Sequence, residues 1–284
     1  MSALGRLLRR AYKEERLPAT ARWVMTAAGM RDWMQLLRRQ LRPHLGEQRD
    51  AVMDALTAEL FARRHAALVE RHPSLDDGAP RTLALLMSGL YLLPFAPRRR
   101  WIVASLGGGP QTPREHARAL ALTRRLPVEE RWRELTVHLG ELLIVATERL
   151  PERLPRARPI VAQLCFDMGV AYARDMSRAL ELSPDTPVAN AIEVLRTSEY
   201  LFRVNPEHES GADEARGRGF IDGSACPWYS RPGWGPHHCG IFGQFQAGVC
   251  SVFELRYSLT TTIPKHGGDH CRVDLTPLRR PAKA

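Results

Sequence analysis

The sequence predicts an α+β fold: a helix-dominated body carrying a small C-terminal core that is antiparallel, strand-containing and rich in cysteine and histidine. Three observations predict it. Apolar residues recur at helical spacing up to about residue 205. Glycine then becomes dense, with nine of the 21 glycines between Gly211 and Gly248. Four of the five cysteines (Cys226, Cys239, Cys250, Cys271) and four of the ten histidines (His237, His238, His266, His270) fall between Cys226 and Cys271. The expected organisation is a helical region over 1–205, a Cys/His-rich core over 206–276 packed on it, and a flexible tail over 277–284.

The helices are justified in order. Between Glu47 and His72, Val52, Met53, Leu56, Leu60 and Ala67 share one helix face. Thr112-Pro113-Arg114-Glu115 has the form of a capping box with proline at the first helical position, opening a helix toward Leu126. Glu130–Leu150 and Pro159–Leu182 repeat the amphipathic pattern, and Thr186-Pro187 starts a further helix through Arg196. Breaks are expected at 73–79, 107–111, 151–155 and 183–187, where proline or glycine interrupts the pattern. Glu207–Arg218 is polar and reads as a loop. Val249–Thr262 reads as a strand, and Cys271–Leu275 alternates as a second strand paired to it across the Pro264–His270 turn.

With 41 Lys+Arg against 31 Asp+Glu the formal net charge is +10, yet only Lys13, Lys265 and Lys283 are lysines. A GC-rich coding sequence produces such an arginine bias without a ligand. Arg98-Arg99-Arg100-Trp101 is the densest basic run and belongs to no recognisable nucleic-acid-binding motif, so sequence-specific nucleic-acid binding is not expected. Leu4, Leu7, Leu8 and Tyr12 make the first helix amphipathic, suited to docking onto the body. No apolar run reaches the ~18–20 residues of a membrane span. The longest, Leu83–Ala96, reads as a buried core helix. The first residues lack the apolar stretch of a secretory signal, so a cytoplasmic location is expected. An odd cysteine count argues against a disulfide framework.

The stretch from Leu259 to Leu275, with Thr260, Thr262, Gly268, Asp269 and Cys271, resembles the C-terminal signature of the L-2-amino-thiazoline-4-carboxylic acid hydrolase family. Cys226 and Cys239 stand where that family carries its earlier cysteines. A neighbouring resemblance is to the vinyl-4-reductase ligand-binding domain, which shares the Gly-Asp-x-x-Cys turn; Ile263 stands where that domain has a further cysteine. The first resemblance implies a hydrolase opening a C–N bond of a small thiazoline-type heterocycle, in sulfur amino-acid or specialised metabolism. The second implies a zinc- or small-molecule-binding module without catalysis. A family member kept as a scaffold is a third expectation.

Ring hydrolysis needs a nucleophile, a proton carrier and a stabiliser of the tetrahedral intermediate. Cys239 with His238, and Cys271 with His270, are the candidate thiol–imidazole pairs, and Cys271 with His237 or His238 is the alternative across the fold. Asp269 is the candidate orienting carboxylate. Trp228, Trp234 and Thr262 are candidate substrate contacts, the tryptophans serving equally as packing for a Gly/Pro-rich loop. Cys226, His237, Cys239 and Cys271 form a candidate ligand set for zinc, so the cofactor expectation is none or zinc. Cys165 and Cys250 read as core, His266 as exposed, and His44, His65, His72, His116 and His138 as surface or capping residues. Composition leaves a homo-oligomer open.

Overall fold

The computed structural model describes residues 3–75, 114, 121, 125–202, 208–224 and 226–278. The expected helices at Leu83–Ala96 and after Thr112, the 107–111 break, the Arg98–Trp101 run, His116 and the end of the tail lie outside these residues. The described elements make an α+β, helix-dominated fold, as the sequence predicts. In order they are α1 (Ala3–Lys13), α2 (Ala19–Leu45), α3 (Arg49–Arg71), α4 (Val128–Arg153), α5 (Ala157–Ala179), α6 (Pro187–Phe202), β1 (His208–Asp213), β2 (Arg218–Gly223), α7 (Pro236–Val252), β3 (Leu255–Thr261), α8 (Ile263–His266) and β4 (Cys271–Pro277). None of the described helices is long and apolar enough to cross a membrane.

The chain forms two compact units, 18–160 and 1–17 with 161–284. Their bounds differ from the composition boundary at 205 because the late helices pack with the C-terminal sheet. In the unit 18–160, α4 packs against α2 and α3. Trp23, Ala27, Met30, Trp33, Leu37 and Leu41 repeat every three or four residues along α2, and all are buried. Met53, Leu56, Leu60 and Leu68 make the matching stripe on α3, whereas Val52 and Ala67 are only half-buried. Within this core, Arg64 donates to Glu134 Oε2 at 2.6 Å, both side chains being 3% exposed. Arg71 Nε donates to Oε1 of the same carboxylate at 3.0 Å. These cations hold the Glu134 carboxyl below its ordinary pKa against the opposing effect of burial. His138 is not a surface or capping residue: it is buried beside the Phe61 ring at 5.3 Å, and burial lowers its pKa to about 3.

The second unit is built on a four-stranded sheet of order β1-β2-β4-β3, antiparallel throughout. The expected pairing of the last two strands is present, Leu255 opposite Pro277 and Leu259 opposite Val273. Two expectations are corrected. Glu207–Arg218 is no simple loop, because His208–Asp213 pairs with Arg218–Gly223 as a hairpin. The strand read over Val249–Thr262 begins only at Leu255, and its first part is the end of α7. β4 also runs through Pro277, past the expected start of a flexible tail, and the Leu278 N–H donates to the Glu254 carbonyl at 2.9 Å.

Helix α7 carries glycines where two backbones meet. A Cβ on Gly248 would lie 2.1 Å from the Phe166 carbonyl oxygen, and one on Gly169 of α5 would lie 1.9 Å from that of Phe245. Only glycine at both positions allows this crossing, which overrides its poor helix propensity. α7 then covers β3, while α6 covers β1 and β2. The first helix docks within this unit as expected: Tyr12 meets the Tyr200 ring edge-on at 6.5 Å, and Arg9 makes a bidentate ion pair with Glu193 at 2.5 and 2.6 Å.

Candidate thiol site

Strand pairing explains how distant cysteines meet. Cys271 opens β4 directly opposite Gly223, the last residue of β2, and Cys226 follows three residues after Gly223. Cys239 lies in the first turn of α7, which packs on β3, the other neighbour of β4. Cys226, Cys239 and Cys271 are close enough that a charge on one raises the pKa of another. Three of the four candidate zinc ligands, both candidate nucleophiles among them, therefore lie in one part of the unit, although their three sulfurs are not all within 4.8 Å of one another. The fourth, His237, is exposed. As expected, Cys165 and Cys250 are core residues, at 3% and 0% exposure.

Each converging sulfur accepts N–H donors. Cys226 accepts from the backbones of Trp228 and Tyr229. Cys239 Sγ accepts from Trp234 Nε1 at 3.3 Å, and Cys271 Sγ from the Ile263 backbone N–H at 3.5 Å. Such donors favour the thiolate, as does the N-terminal end of α7 near Cys239. Burial works against them and prevails. It pushes the Cys226 thiol up to about 11 and raises Cys239 and Cys271 as well, so all three are neutral thiols at neutral pH.

The aromatic candidates sit beneath these sulfurs. Trp228 and Trp234 stack obliquely at 5.2 Å, and Phe242 meets Trp228 edge-on at 4.8 Å. At 1% exposure Trp228 is a packing residue of the site floor; Trp234, at 8%, reaches Cys239 through its indole N–H. His238 is fully buried and stacked on Trp234, and its Nδ1 accepts the Gly235 backbone N–H at 3.0 Å. That bond closes the first turn of α7 and leaves Nε2 as the other ring nitrogen. Thr262 is 6% exposed, and its Oγ1 is buried without a hydrogen-bond partner among the described residues. Its backbone N–H donates to His266 Nδ1 at 2.9 Å, so the exposed His266 also fixes the turn leading to Cys271. Asp269 lies at the surface with its side chain 98% exposed, and bonds His270 Nδ1 at 2.9 Å. The Asp269–His270 pair therefore faces solvent.

Sequence reasoning did not find two buried acids of this unit, Tyr257 near the thiols and Glu199 near Tyr257. Tyr257, on β3, donates its hydroxyl to Gln246 of α7 and feels the charges of Cys239, Cys271, Cys250 and Glu199. Burial raises its pKa well above the ordinary value. Glu199, on α6, is 3% exposed, and burial raises its carboxyl to about 8 despite the opposing charge of Arg196. The sequence signal for Glu199 was its place on the Ile192–Leu195–Glu199 stripe, a carboxyl where an apolar side chain is expected. A buried carboxylic acid that stays protonated at neutral pH can donate a proton.

The described groups of ligand atoms lying within 4.8 Å of one another do not include the three thiols. In one such group, His72, Glu130 and Glu134, the Glu134 carboxylate is already paired with Arg64 and Arg71, and Glu130 with Arg133. The site is thus a region of an α+β unit where three half-buried thiols lie near one another and near the buried Tyr257 hydroxyl. Comparison with family models, with curated proteins and with solved structures gives no significant match.

Proposed function

We propose that this unit is a thiol-dependent hydrolase that opens a C–N bond in a small cyclic amidine-like substrate of the thiazoline carboxylate type. The observation that carries the reading is Cys239, whose sulfur sits in the first turn of α7 and accepts the Trp234 indole N–H, with Cys226, Cys271 and the buried Tyr257 hydroxyl in the same part of the unit. Cys239 is the nucleophile: it is the half-buried thiol on a helix N-terminus with the Trp234 N–H directed at its sulfur. As the S–C bond forms at the ring carbon, the S–H proton passes to the Tyr257 oxygen, which gives its own hydroxyl proton to the ring nitrogen as the C–N bond breaks. Water then attacks the enzyme-bound carbon and the sulfur departs as the thiol, so one water is consumed per ring opened. The unpaired Thr262 hydroxyl is a ready substrate contact.

The test is hydrolysis of L-2-amino-thiazoline-4-carboxylate followed by loss of ring absorbance. Wild type is expected to turn over, Cys239→Ser to lose about three orders of magnitude, and Cys271→Ala to be impaired while both variants keep the wild-type circular dichroism. Full activity in Cys239→Ser overturns the assignment.

A second reading has its own observation, the N–H donors on every sulfur, which suit metal-bound thiolates. Zinc would be held by Cys226, Cys239 and Cys271 after the sulfurs close toward one another. Near-stoichiometric zinc in the purified protein would favour it, and its absence together with Cys239-dependent turnover would favour the hydrolase.

A further inference from the structure

A cavity of about 500 Å³ lies within the same unit but shares no lining residue with the thiol site. Its walls come from α1, α6 and the sheet's edge strand β1. The polar groups of its floor are spent internally. Tyr200 Oη donates to the Glu15 carbonyl at 2.6 Å, and Thr197 Oγ1 bonds Tyr172 Oη at 2.7 Å and the Val194 carbonyl at 2.7 Å. What the floor offers a ligand is therefore apolar: the Tyr12 and Tyr200 rings and Ile192. Ser210, Gly211 and Ala212 keep the opposite wall free of bulk.

The charges at the mouth are unbalanced. Arg9 and Glu193 neutralise each other in their bidentate pair, and Arg10 bonds Glu14 at 2.8 Å. Lys13 and Arg196 line the cavity and are exposed, with Glu15 the acidic residue beside them. A cationic rim over an apolar floor, in a space of the size small ligands occupy, selects an anion with a flat apolar body.

We infer that this cavity is a second ligand site, for a small aromatic carboxylate, with its anionic head between Lys13 and Arg196 and its ring against Tyr12, Tyr200 and Ile192. The inference does not depend on the thiol chemistry.

The experiment is fluorescence or calorimetric titration of the full chain with 2-naphthoate and, separately, with the uncharged 2-naphthalenemethanol. Naphthoate should bind saturably, one per chain, and about tenfold more tightly than the alcohol. Lys13→Ala/Arg196→Gln should remove that advantage, weakening naphthoate about tenfold and leaving the alcohol unchanged, with circular dichroism unaltered. Cys239→Ser should bind both probes as wild type does, which separates this site from the thiol centre. Absence of saturable binding, equal affinity for the two probes, insensitivity to the double substitution, or loss of binding in Cys239→Ser would each overturn the inference.

Discussion

Replacing Glu199 with glutamine should remove a specific slope from the protein's stability against pH. Its carboxyl titrates near pH 8 in the fold and near its ordinary 4.5 in the unfolded chain. Below 4.5 both states hold the proton. Between 4.5 and 8 the unfolded chain releases it while the fold retains it, so stability falls as pH rises, by about 1.4 kcal/mol per unit, and levels off above 8. His138 acts oppositely and lower down: its pKa is depressed from 6.5 to about 3, so its contribution grows from pH 3 to 6.5 and is then constant. The window from pH 6.5 to 8 therefore isolates Glu199 from His138. Across it the carboxyl should remove about 2 kcal/mol. Glutamine matches the neutral carboxyl in shape and cannot ionise, so Glu199→Gln should flatten this part of the profile. Urea unfolding followed by circular dichroism, at fixed ionic strength and at pH 6.5 and 8, reads the difference directly. An equal fall in wild type and variant would refute the protonated state of Glu199.

Other substitutions probe the packing. Gly169→Ala drives a methyl into the Phe245 carbonyl and should cost about 1–3 kcal/mol, lowering the melting temperature by several degrees, with Gly248→Ala behaving alike. A melting temperature unchanged in both would mean the α5–α7 backbones do not cross so closely. Glu134→Ala strands Arg64 in the core without its carboxylate and should cost about 3–5 kcal/mol in denaturant unfolding. A loss under 1 kcal/mol would place that pair at the surface instead.

Much of the helical architecture was legible because burial follows the 3.6-residue period. Proline marked the start of α6 at Pro187, and the pairing of the last two strands, read over Val249–Thr262 and Cys271–Leu275, followed from alternation and β-branched residues around the Pro264–His270 turn, though not the strands' bounds. The β1–β2 hairpin was not legible: His208–Asp213 has no apolar alternation, and in β2 only Ile221 and Gly223 are buried. Helix α7 was missed for the opposite reason. Its glycines depress local helix propensity, and Gly248 is there because the α5 backbone demands it. The cysteines announced a site by type alone. Which of them converge depended on β2 lying beside β4, and on Cys239 riding a helix, neither of which their spacing contained. Tyr257 and Glu199 stayed hidden because a tyrosine on a strand and one carboxyl on a helical stripe each have ordinary explanations until their burial is seen.

The central claim is that Cys226, Cys239 and Cys271 occupy one centre. Dibromobimane, a short reagent that becomes fluorescent when it bridges two thiols, tests it most directly on the native chain. Peptide mass spectrometry should find bridges among Cys226, Cys239 and Cys271 and none to Cys165 or Cys250. Singly modified cysteines alone, or bridges that appear only after unfolding in urea, would contradict it.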